Sequence, residues 1–317
     1  MSWTVADMPD LTGDRVFITG ANSGIGYFAA VELARHGAVV VLACRDRARG
    51  EAALARLQTD AAGPESAAAK AELAILDLAS LESVHAVAGA ELAKGLALDC
   101  LINNAGVMAP PKRRETADGL EIQFGTNVVG HFALTGLLLP ALERADAARV
   151  VTVASIAHKM GRIDFEDLQS LRRYSPMKAY QQSKLGDLMF TFELERRLRA
   201  AGSPVISLGV HPGVAKTELF KVGSSTGLAH LAERTIQGTI GLLLNSETDG
   251  ALPTLYAATA DAAVGGGYYG PQGFQEMRGG DVGPAKVARQ AKDTAVQLRL
   301  WQVCEQLSGV TYLDDAH

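Results

Sequence analysis

Short apolar runs alternate with longer helical stretches along most of the chain, and this alternation constrains the fold more than any other feature. The runs that predict β-strands are Arg15–Thr19, Ala38–Ala43, Glu72–Leu76, Cys100–Ile102, Arg149–Ala154, Val205–Val210 and Gly267–Tyr269. The helical patterns between and after them are Ile25–His36, Arg47–Gln58, Leu81–Lys94, Gly119–Arg144, Ala179–Ala201, Asp249–Ala260 and Pro284–Leu307. Nearly continuous apolar strands are typical of a parallel sheet covered by helices on both faces. We therefore predict an α/β fold with one doubly wound parallel sheet.

No proline- or serine-rich linker divides the chain, although 317 residues would suit about two domains. We predict a single domain over residues 1–317. Within it, residues 216–248 are expected to form a substrate-binding lobe or lid. Residues 284–317 are expected to form a C-terminal helix and tail.

Composition excludes several classes of protein. The 30 basic and 35 acidic residues leave a net charge of −5, whereas a nucleic-acid-binding surface needs a basic excess. Cys44, Cys100 and Cys304 lie far apart, which is typical of a reducing compartment, and no histidines fall at metal-ligand spacing, so we expect no metal. No segment reaches about 18 uninterrupted apolar residues, and the first ten residues lack the features of a signal peptide. A cytoplasmic protein without a membrane partner is expected.

The strand Arg15–Thr19 runs directly into a glycine-rich turn, Thr19–Gly26, and a helical pattern follows. Glycines at such a turn let the backbone approach a pyrophosphate, and the free N–H groups at the start of a helix favour its negative charge. The spacing Gly-x-x-x-Gly-x-Gly differs from the standard dinucleotide fingerprint. A nucleotide-binding turn is favoured, and a strand-to-helix turn without ligand remains the alternative.

The end of the second predicted strand bears on the choice of nicotinamide cofactor. NAD-binding folds place an acid there to bind the ribose 2′-hydroxyl, but Cys44 stands near that position and Arg45 follows it. The planar donor fork of an arginine fits a 2′-phosphate. We therefore predict NADP as the cofactor, with NAD as the alternative because Asp46 is adjacent.

Tyr180 and Lys184 are four residues apart in a predicted helix, so their side chains share one face. A nearby ammonium stabilises a phenolate, and the pair can serve as a general acid/base. This spacing alone also fits an ordinary amphipathic helix. The context favours chemistry, because polar or turn-forming residues follow the fourth, fifth and sixth predicted strands at one sheet edge: Asn103–Gly106, Ser155 and Pro212–Gly213.

These motifs together resemble the short-chain dehydrogenase/reductase family, in the family's order and over residues 14–270. The elements that carry the resemblance are Thr19–Gly26, Asp77, Asn103–Gly106, Asn127, Ser155, Tyr180, Lys184 and Pro212–Thr217. A finer resemblance is to the retinol-dehydrogenase-like branch, which includes WW-domain-containing oxidoreductases, and the tail Tyr268–Gly283 looks like its bacterial members. The resemblance implies a Rossmann-type sheet of about seven strands in the order 3-2-1-4-5-6-7, and it allows a homo-oligomer.

The resemblance also implies roles for individual residues. The implied catalytic set is Asn127, Ser155, Tyr180 and Lys184, with Tyr180 as acid/base and Asn127 supporting a proton-relay water. The implied cofactor contacts are Gly20, Asn22, Ser23, Gly24, Ile25, Gly26, Arg45, Asp77, Leu78, Asn104, Ala105, Gly106, Tyr180, Lys184, Pro212, Gly213, Val214 and Thr217. Substrate contacts are expected from Ser155, Met108, His158 and Tyr174.

The function predicted from all of this is an NADP(H)-dependent oxidoreductase, an alcohol dehydrogenase or carbonyl reductase. Apolar residues are frequent in the predicted lobe, so a small hydrophobic ketone, aldehyde or alcohol is the expected substrate. One alternative is a cofactor-binding sensor or adaptor without turnover. Another is an enzyme that reduces a carbon–carbon double bond.

Overall fold

The computed structural model describes residues 3–62, 70–213 and 246–313. Eight strands form one sheet in the order β3-β2-β1-β4-β5-β6-β7-β8. The strands are β1 Arg15–Thr19, β2 Val39–Cys44, β3 Ala71–Ile75, β4 Cys100–Asn103, β5 Arg149–Val153, β6 Ile206–Val210, β7 Tyr268–Pro271 and β8 Val282–Pro284. The pairs from β3 across to β7 are all parallel, and β8 runs antiparallel to β7. The predicted parallel sheet and its strand order are confirmed, and β8 is an additional edge strand.

Helices cover both faces of the sheet. They are α1 Gly24–Arg35, α2 Arg47–Asp60, α3 Leu81–Ala93, α4 Ile122–Leu142, α5 Pro176–Ala200, α6 Glu247–Thr259 and α7 Thr294–Ser308. One hydrophobic cluster joins the sheet to α3, α4, α5 and α7, and the other joins it to α1, α2 and α6. Both faces of the central strands are therefore buried, which explains why the strand segments read as continuous apolar runs.

Helix α4 is the most apolar helix of the described part. It has the length and hydropathy of a membrane-spanning helix, but 83% of its apolar window is buried inside the protein. Phe132 and Leu138 on this helix are fully buried in the cluster beneath the sheet. Its apolar character is therefore accounted for by burial in the core.

The C-terminal helix begins later than the sequence indicated. The prediction of a helix from Pro284 is wrong, because Pro284 belongs to β8 and pairs with Tyr269. A proline is tolerated on such an edge strand because its missing N–H can face away from the ladder. Helix α7 starts at Thr294, where the Asp293 carboxylate accepts hydrogen bonds from the backbone N–H groups of Ala295 and Val296.

Helix α7 packs against α4 and α5 through aromatic contacts. Trp301 is 2% exposed, and its ring lies 4.8 Å from Phe132 of α4 and 6.0 Å from Phe190 of α5, measured between centroids. The Arg197 guanidinium lies 4.5 Å from the centroid of the Trp301 ring. After the helix, the Tyr312 hydroxyl donates to the Phe132 carbonyl at 3.1 Å. These contacts fix α5 from the side opposite the sheet.

The predicted division into regions stays a prediction. Residues 214–245, which make up most of the expected lobe, lie outside the described residues.

Candidate active site

The carboxyl ends of β1, β4, β5 and β6 lie side by side in the sheet. Gly20 follows β1, Asn104 follows β4, Ser155 lies just beyond β5, and His211 follows β6. The structure therefore brings the predicted sequence motifs to one edge. A crevice at the carboxyl edge of an open parallel sheet is where such folds bind ligands.

The glycine turn after β1 is closed tightly against Asn104. Gly20 and Gly24 have φ angles of +67° and +59°, which strain any other residue. A Cβ on Gly26 would lie 2.4 Å from Asn104 Nδ2, and that amide nitrogen donates to the Thr19 carbonyl at 2.8 Å. A side chain is therefore excluded at Gly26, where the turn lies close to the loop after β4.

Helix α1 starts inside this turn, at Gly24, with Asn22 and the N-cap Ser23 before it and half-buried to exposed. In the described structure, the Ser23 side chain makes no capping bond to the first turn. The first N–H groups of the helix are thus left for a ligand, and the helix dipole adds a partial positive charge. Ile25, by contrast, is 7% exposed and packs into the core. The turn suits a pyrophosphate.

A buried hydrogen-bond network connects the glycine turn to Asn127. The Thr19 hydroxyl oxygen accepts from the backbone N–H groups of Asn104 and Ala105, both at 2.9 Å, and lies 2.9 Å from His131 Nε2. His131 Nδ1 lies 2.8 Å from the Asn127 carbonyl oxygen. A carbonyl only accepts, so Nδ1 carries the proton and Nε2 accepts from the Thr19 hydroxyl.

His131 is fixed in its neutral form. Burial lowers its pKa to about 3, with a smaller contribution from the charge of Lys184. It therefore acts as a neutral connector between the glycine turn and Asn127. Sequence analysis assigned no role to His131. The available signal was its position four residues after Asn127, one helical turn along the same face.

Asn127 holds the loop after β4 against α5. It is fully buried in a π-helical turn of α4, Gly125–Val129. Its side chain accepts from the Val107 N–H at 2.8 Å and donates to the Val107 carbonyl at 3.0 Å. It also donates to Ser183 Oγ at 2.9 Å, and Ser183 in turn donates to the Tyr180 carbonyl at 2.9 Å. Asn127 thus connects three segments of the site.

Tyr180 and Lys184 lie on the first turns of α5, as the sequence predicts. The Lys184 ammonium donates to the Val153 carbonyl of β5 at 2.8 Å and to Asp187 Oδ2 at 2.8 Å. A Cβ on Gly106 would lie 3.7 Å from Lys184 Nζ and 3.5 Å from Asn127 Oδ1. The loop after β4, Lys184 and Asn127 therefore meet at one point, with half-buried Tyr180 one helical turn away.

Asp187 was missed by sequence reasoning. Burial raises its pKa to about 6, because the cost of burying the carboxylate outweighs the attraction of Lys184. The pKa of Lys184 is raised despite its burial, because the charges of Asp187 and Tyr180 favour the ammonium. The signal in the sequence was an acid three residues after the lysine on the same helix face.

Ser155 begins a short 3₁₀-helix, Ile156–Met160, and its hydroxyl oxygen accepts from the Ala157 N–H at 3.1 Å. His158 orients this segment. Its Nδ1 lies 2.6 Å from the Ser155 carbonyl, and its Nε2 accepts from the Ala288 N–H at 3.3 Å. His158 is fully buried, with both ring nitrogens engaged in these contacts. Its contact with substrate stays a prediction.

The other two expected substrate residues lie on neighbouring loops. Met108 is half-buried in the loop that Asn127 holds. The Tyr174 hydroxyl donates to the Pro110 carbonyl at 2.7 Å, and Gln123 Nε2 lies 3.3 Å from it. Tyr174 therefore ties the loop after β4 to the segment before α5.

At the carboxyl end of β2, the side chains of Cys44, Arg45 and Asp46 have different surroundings. Cys44 is 3% exposed, and its sulfur faces Gly50 of α2, where a Cβ would lie 2.8 Å away. Asp46 caps α2 by accepting from the Arg49 N–H at 2.9 Å. Arg45 between them is exposed.

The remaining predicted cofactor residues are placed as follows. The Asp77 carboxylate accepts from the Ala79 N–H at 3.0 Å, and Leu78 is 6% exposed within the core. After β6, Gly213 has a φ of +72° and its N–H donates to His211 Nδ1 at 3.2 Å, with Pro212 between them. Val214 and Thr217 lie outside the described residues. Cofactor contact by all of these residues stays a prediction.

Comparison with known proteins gives the relatives of this chain. The family model described as short chain dehydrogenase matches residues 14–226. Human retinol dehydrogenase 13 is 40% identical over 305 residues, which span 95% of this chain and 86% of the relative. Mouse polyprenol dehydrogenase is 40% identical over 309 residues, which span 95% of this chain and 86% of the relative.

Solved structures agree with this result. An uncharacterised protein from Mycobacterium paratuberculosis is 43% identical, with a TM-score of 0.77 over 98% of this chain and 99% of that one. RhlG from Pseudomonas aeruginosa, solved with NADP, is 22% identical, with a TM-score of 0.62 over 82% of this chain and 94% of that one, and it shows the fold alone. The resemblance found in the sequence is confirmed, and the chain belongs to the short-chain dehydrogenase family, with retinol-dehydrogenase-like relatives over most of its length.

Proposed function

We propose that the protein is an NADP(H)-dependent oxidoreductase that interconverts a hydrophobic alcohol with its aldehyde or ketone. The observation that carries this proposal is the position of Lys184, on the helix of Tyr180, where it donates to Val153 of β5 and lies with Asn127 beside the loop after β4. Ser155 follows β5 at the same edge of the sheet. The names of two relatives, retinol dehydrogenase and polyprenol dehydrogenase, support a lipophilic alcohol as substrate.

The chain's own residues fit a dinucleotide. A side chain at Gly26 would clash with Asn104, and the amino end of α1 favours the charge of a pyrophosphate. Arg45 would bind the 2′-phosphate of the adenosine ribose. When bound, the nicotinamide supplies or accepts the hydride. The protein's contribution is to bind and orient both reactants and to move the proton.

Tyr180 would move that proton. In carbonyl reduction, its phenol gives the proton to the carbonyl oxygen, and the Lys184 ammonium stabilises the phenolate that is left. Ser155 Oγ accepts from the Ala157 N–H, and no described residue accepts its hydrogen, which would be donated to the substrate oxygen. Oxidation of the alcohol is the same path reversed, with the phenolate as the base.

The test compares wild type with Tyr180→Phe, which keeps the ring and removes the proton donor. General acid/base catalysis contributes at least about 100-fold, so we expect a loss of turnover of that size with NADPH binding retained. Tyr27→Phe is the matched control, because the Tyr27 hydroxyl donates to Asp60 of α2. Turnover would be followed by NADPH absorbance across a panel of hydrophobic ketones, aldehydes and alcohols.

Near wild-type turnover in Tyr180→Phe would contradict the acid/base assignment. Identifying the products by chromatography separates carbonyl reduction from reduction of a carbon–carbon double bond. NADPH binding without any turnover across the panel would favour the sensor instead.

A cytoplasmic location without a membrane partner is also part of the proposal. It is supported by the burial of the apolar helix α4 within the core. Expressed protein should appear in the soluble fraction without detergent. Recovery from membranes alone would contradict this, and the oligomeric state stays a prediction.

A further inference from the structure

Asp187 is a buried carboxylate beside the lysine of the site, and the proposed reaction does not use it. Its side chain is 3% exposed and that of Lys184 is 6% exposed, with Asp187 Oδ2 2.8 Å from Lys184 Nζ. Burying a carboxylate costs free energy that only a good partner offsets. An uncharged residue at this position would avoid that cost, so the presence of Asp187 calls for an explanation.

Asp187 takes one of the three hydrogen bonds that the Lys184 ammonium can donate. An ammonium has three N–H donors. One goes to the Val153 carbonyl and one to Asp187. The first acceptor belongs to β5, and the second lies one helical turn after Lys184, on the side away from Tyr180 in the helix. Among the described residues, no acceptor takes the third donor, so it can point to the Tyr180 oxygen or to a cofactor hydroxyl. Asp187 therefore helps to decide where that donor points.

We propose that Asp187 is a positioning residue for Lys184, which holds the ammonium against β5 and offsets part of its charge. In this way Asp187 sets how strongly Lys184 stabilises the Tyr180 phenolate. The inference rests on the proposed acid/base function of Tyr180 and adds to it a residue that tunes the pH range of the reaction.

The other titratable groups around this pair stay neutral near neutral pH. His131 of α4 faces Lys184, and burial lowers its pKa to about 3. Tyr268 of β7 and Cys304 of α7 face Asp187, and burial raises the pKa of both well above neutrality. Among the described residues that face the pair, Asp187 therefore supplies the negative charge that Lys184 meets.

The test is the pH dependence of alcohol oxidation, which needs the phenolate and therefore speeds up as pH rises. Asp187→Asn keeps the shape and removes the charge, so the full charge of Lys184 acts on Tyr180. Tyr180 and Asp187 are about 10 Å apart along the helix, and a unit charge there corresponds to a shift of about one pH unit. We expect the midpoint of the profile to move down by about that amount. Asp187→Glu should restore the wild-type midpoint.

Glu193→Gln is the matched control. Glu193 is another buried acid on α5, 1% exposed and paired with Arg197 at 2.8 Å. Its loss should lower stability without moving the midpoint. If Asp187→Asn is active and the midpoint of its pH profile is unchanged or higher, the inference is overturned, while the proposed function of Tyr180 stands. If Asp187→Asn does not fold, Asp187→Ser removes the same charge with less volume.

A second measurement does not depend on turnover. Urea unfolding of Asp187→Asn, Lys184→Met and the double variant gives the coupling between the two side chains. Non-additive free energies of unfolding support the pairing, and additive ones overturn the inference. If the wild type neither oxidises nor reduces any compound in the panel, the proposed function is wrong, but the inference about Asp187 is still testable. The double-mutant cycle then decides whether Asp187 holds Lys184.

Discussion

At the scale of single residues, the end of β2 shows how one side chain's contact determines a neighbour's role. The Asp46 carboxylate is engaged by the first turn of α2, and the Cys44 sulfur is buried against Gly50. The Cys44 sulfur therefore does not face a ligand at this edge, and one oxygen of Asp46 is used in the helix cap. Arg45, exposed between them, is the side chain that we propose for the adenosine end of a cofactor. This arrangement supports the proposed preference for NADP over NAD.

Arg45→Ala should remove most of that preference. A hydrogen bond to a charged group contributes roughly 1.5–3 kcal/mol, which corresponds to about 10- to 150-fold in affinity. Dissociation constants for NADPH and NADH, measured by titration, should converge in the variant. Arg47→Ala is the control, because exposed Arg47 pairs with Glu51 at 3.8 Å and should change the ratio less. Equal binding of both cofactors by the wild type would contradict the role of Arg45.

At the scale of elements, the turn between β1 and α1 can pack closely only because Gly26 has no side chain. Gly26→Ala would place a Cβ 2.4 Å from Asn104 Nδ2 and 2.8 Å from the Gly20 carbonyl. The turn or the loop after β4 must move, so we expect NADPH affinity to fall at least about tenfold, or 1.4 kcal/mol. Titration of NADPH into the purified variant measures this.

Gly89→Ala is the matched helical control. A Cβ on Gly89 of α3 meets nothing within 4 Å, so alanine should stabilise the helix by about 0.5–1 kcal/mol without changing cofactor affinity. Urea unfolding measures the stability of both variants. Unaltered NADPH binding in Gly26→Ala would show that the turn does not approach the cofactor.

The elements that sequence could predict are those with a local cause. The strands β1 to β7 follow from apolar runs, and the turn at Gly20–Gly26 from its glycines. Strand β8 has only three residues, one of them Pro284, and carries no apolar run. The bond of His131 to Thr19 joins residues 112 apart in sequence, so it could not be derived locally, unlike the bond of His131 to Asn127 one helical turn away. The pairing of Asp187 with Lys184 had a local signal, their spacing of three residues on one helix. The burial of the pair depends on α7 and the sheet, which are distant in sequence.

At the scale of the whole molecule, buried histidines make the folding stability depend on pH just below neutrality. Burial lowers the pKa of both His131 and His211 to about 3, below the usual 6.5. Between these values the unfolded chain binds more protons than the folded one, so stability is lost as pH falls below about 6.5. Asp187 acts in the opposite direction, because its raised pKa means that the folded state gains a proton first as pH falls to about 6.

The two histidines outweigh the one carboxylate. We expect the free energy of unfolding to fall by about 2 kcal/mol between about pH 7 and pH 5.5, as measured in urea. His131→Gln should reduce this slope, whereas His85→Gln should not, because His85 is exposed on α3. A stability that is flat or rises over this range would contradict the assignment of neutral buried histidines.

The packing of α7 against α5 determines when the site can become ordered during synthesis. The helix that carries Tyr180 and Lys184 is held on its outer side by Trp301 and its neighbours. More than a hundred residues separate Lys184 from Trp301. A nascent chain whose sheet has already emerged from the ribosome would still lack this support. We therefore expect the reactive centre to become rigid only after the segment around Trp301 has been translated.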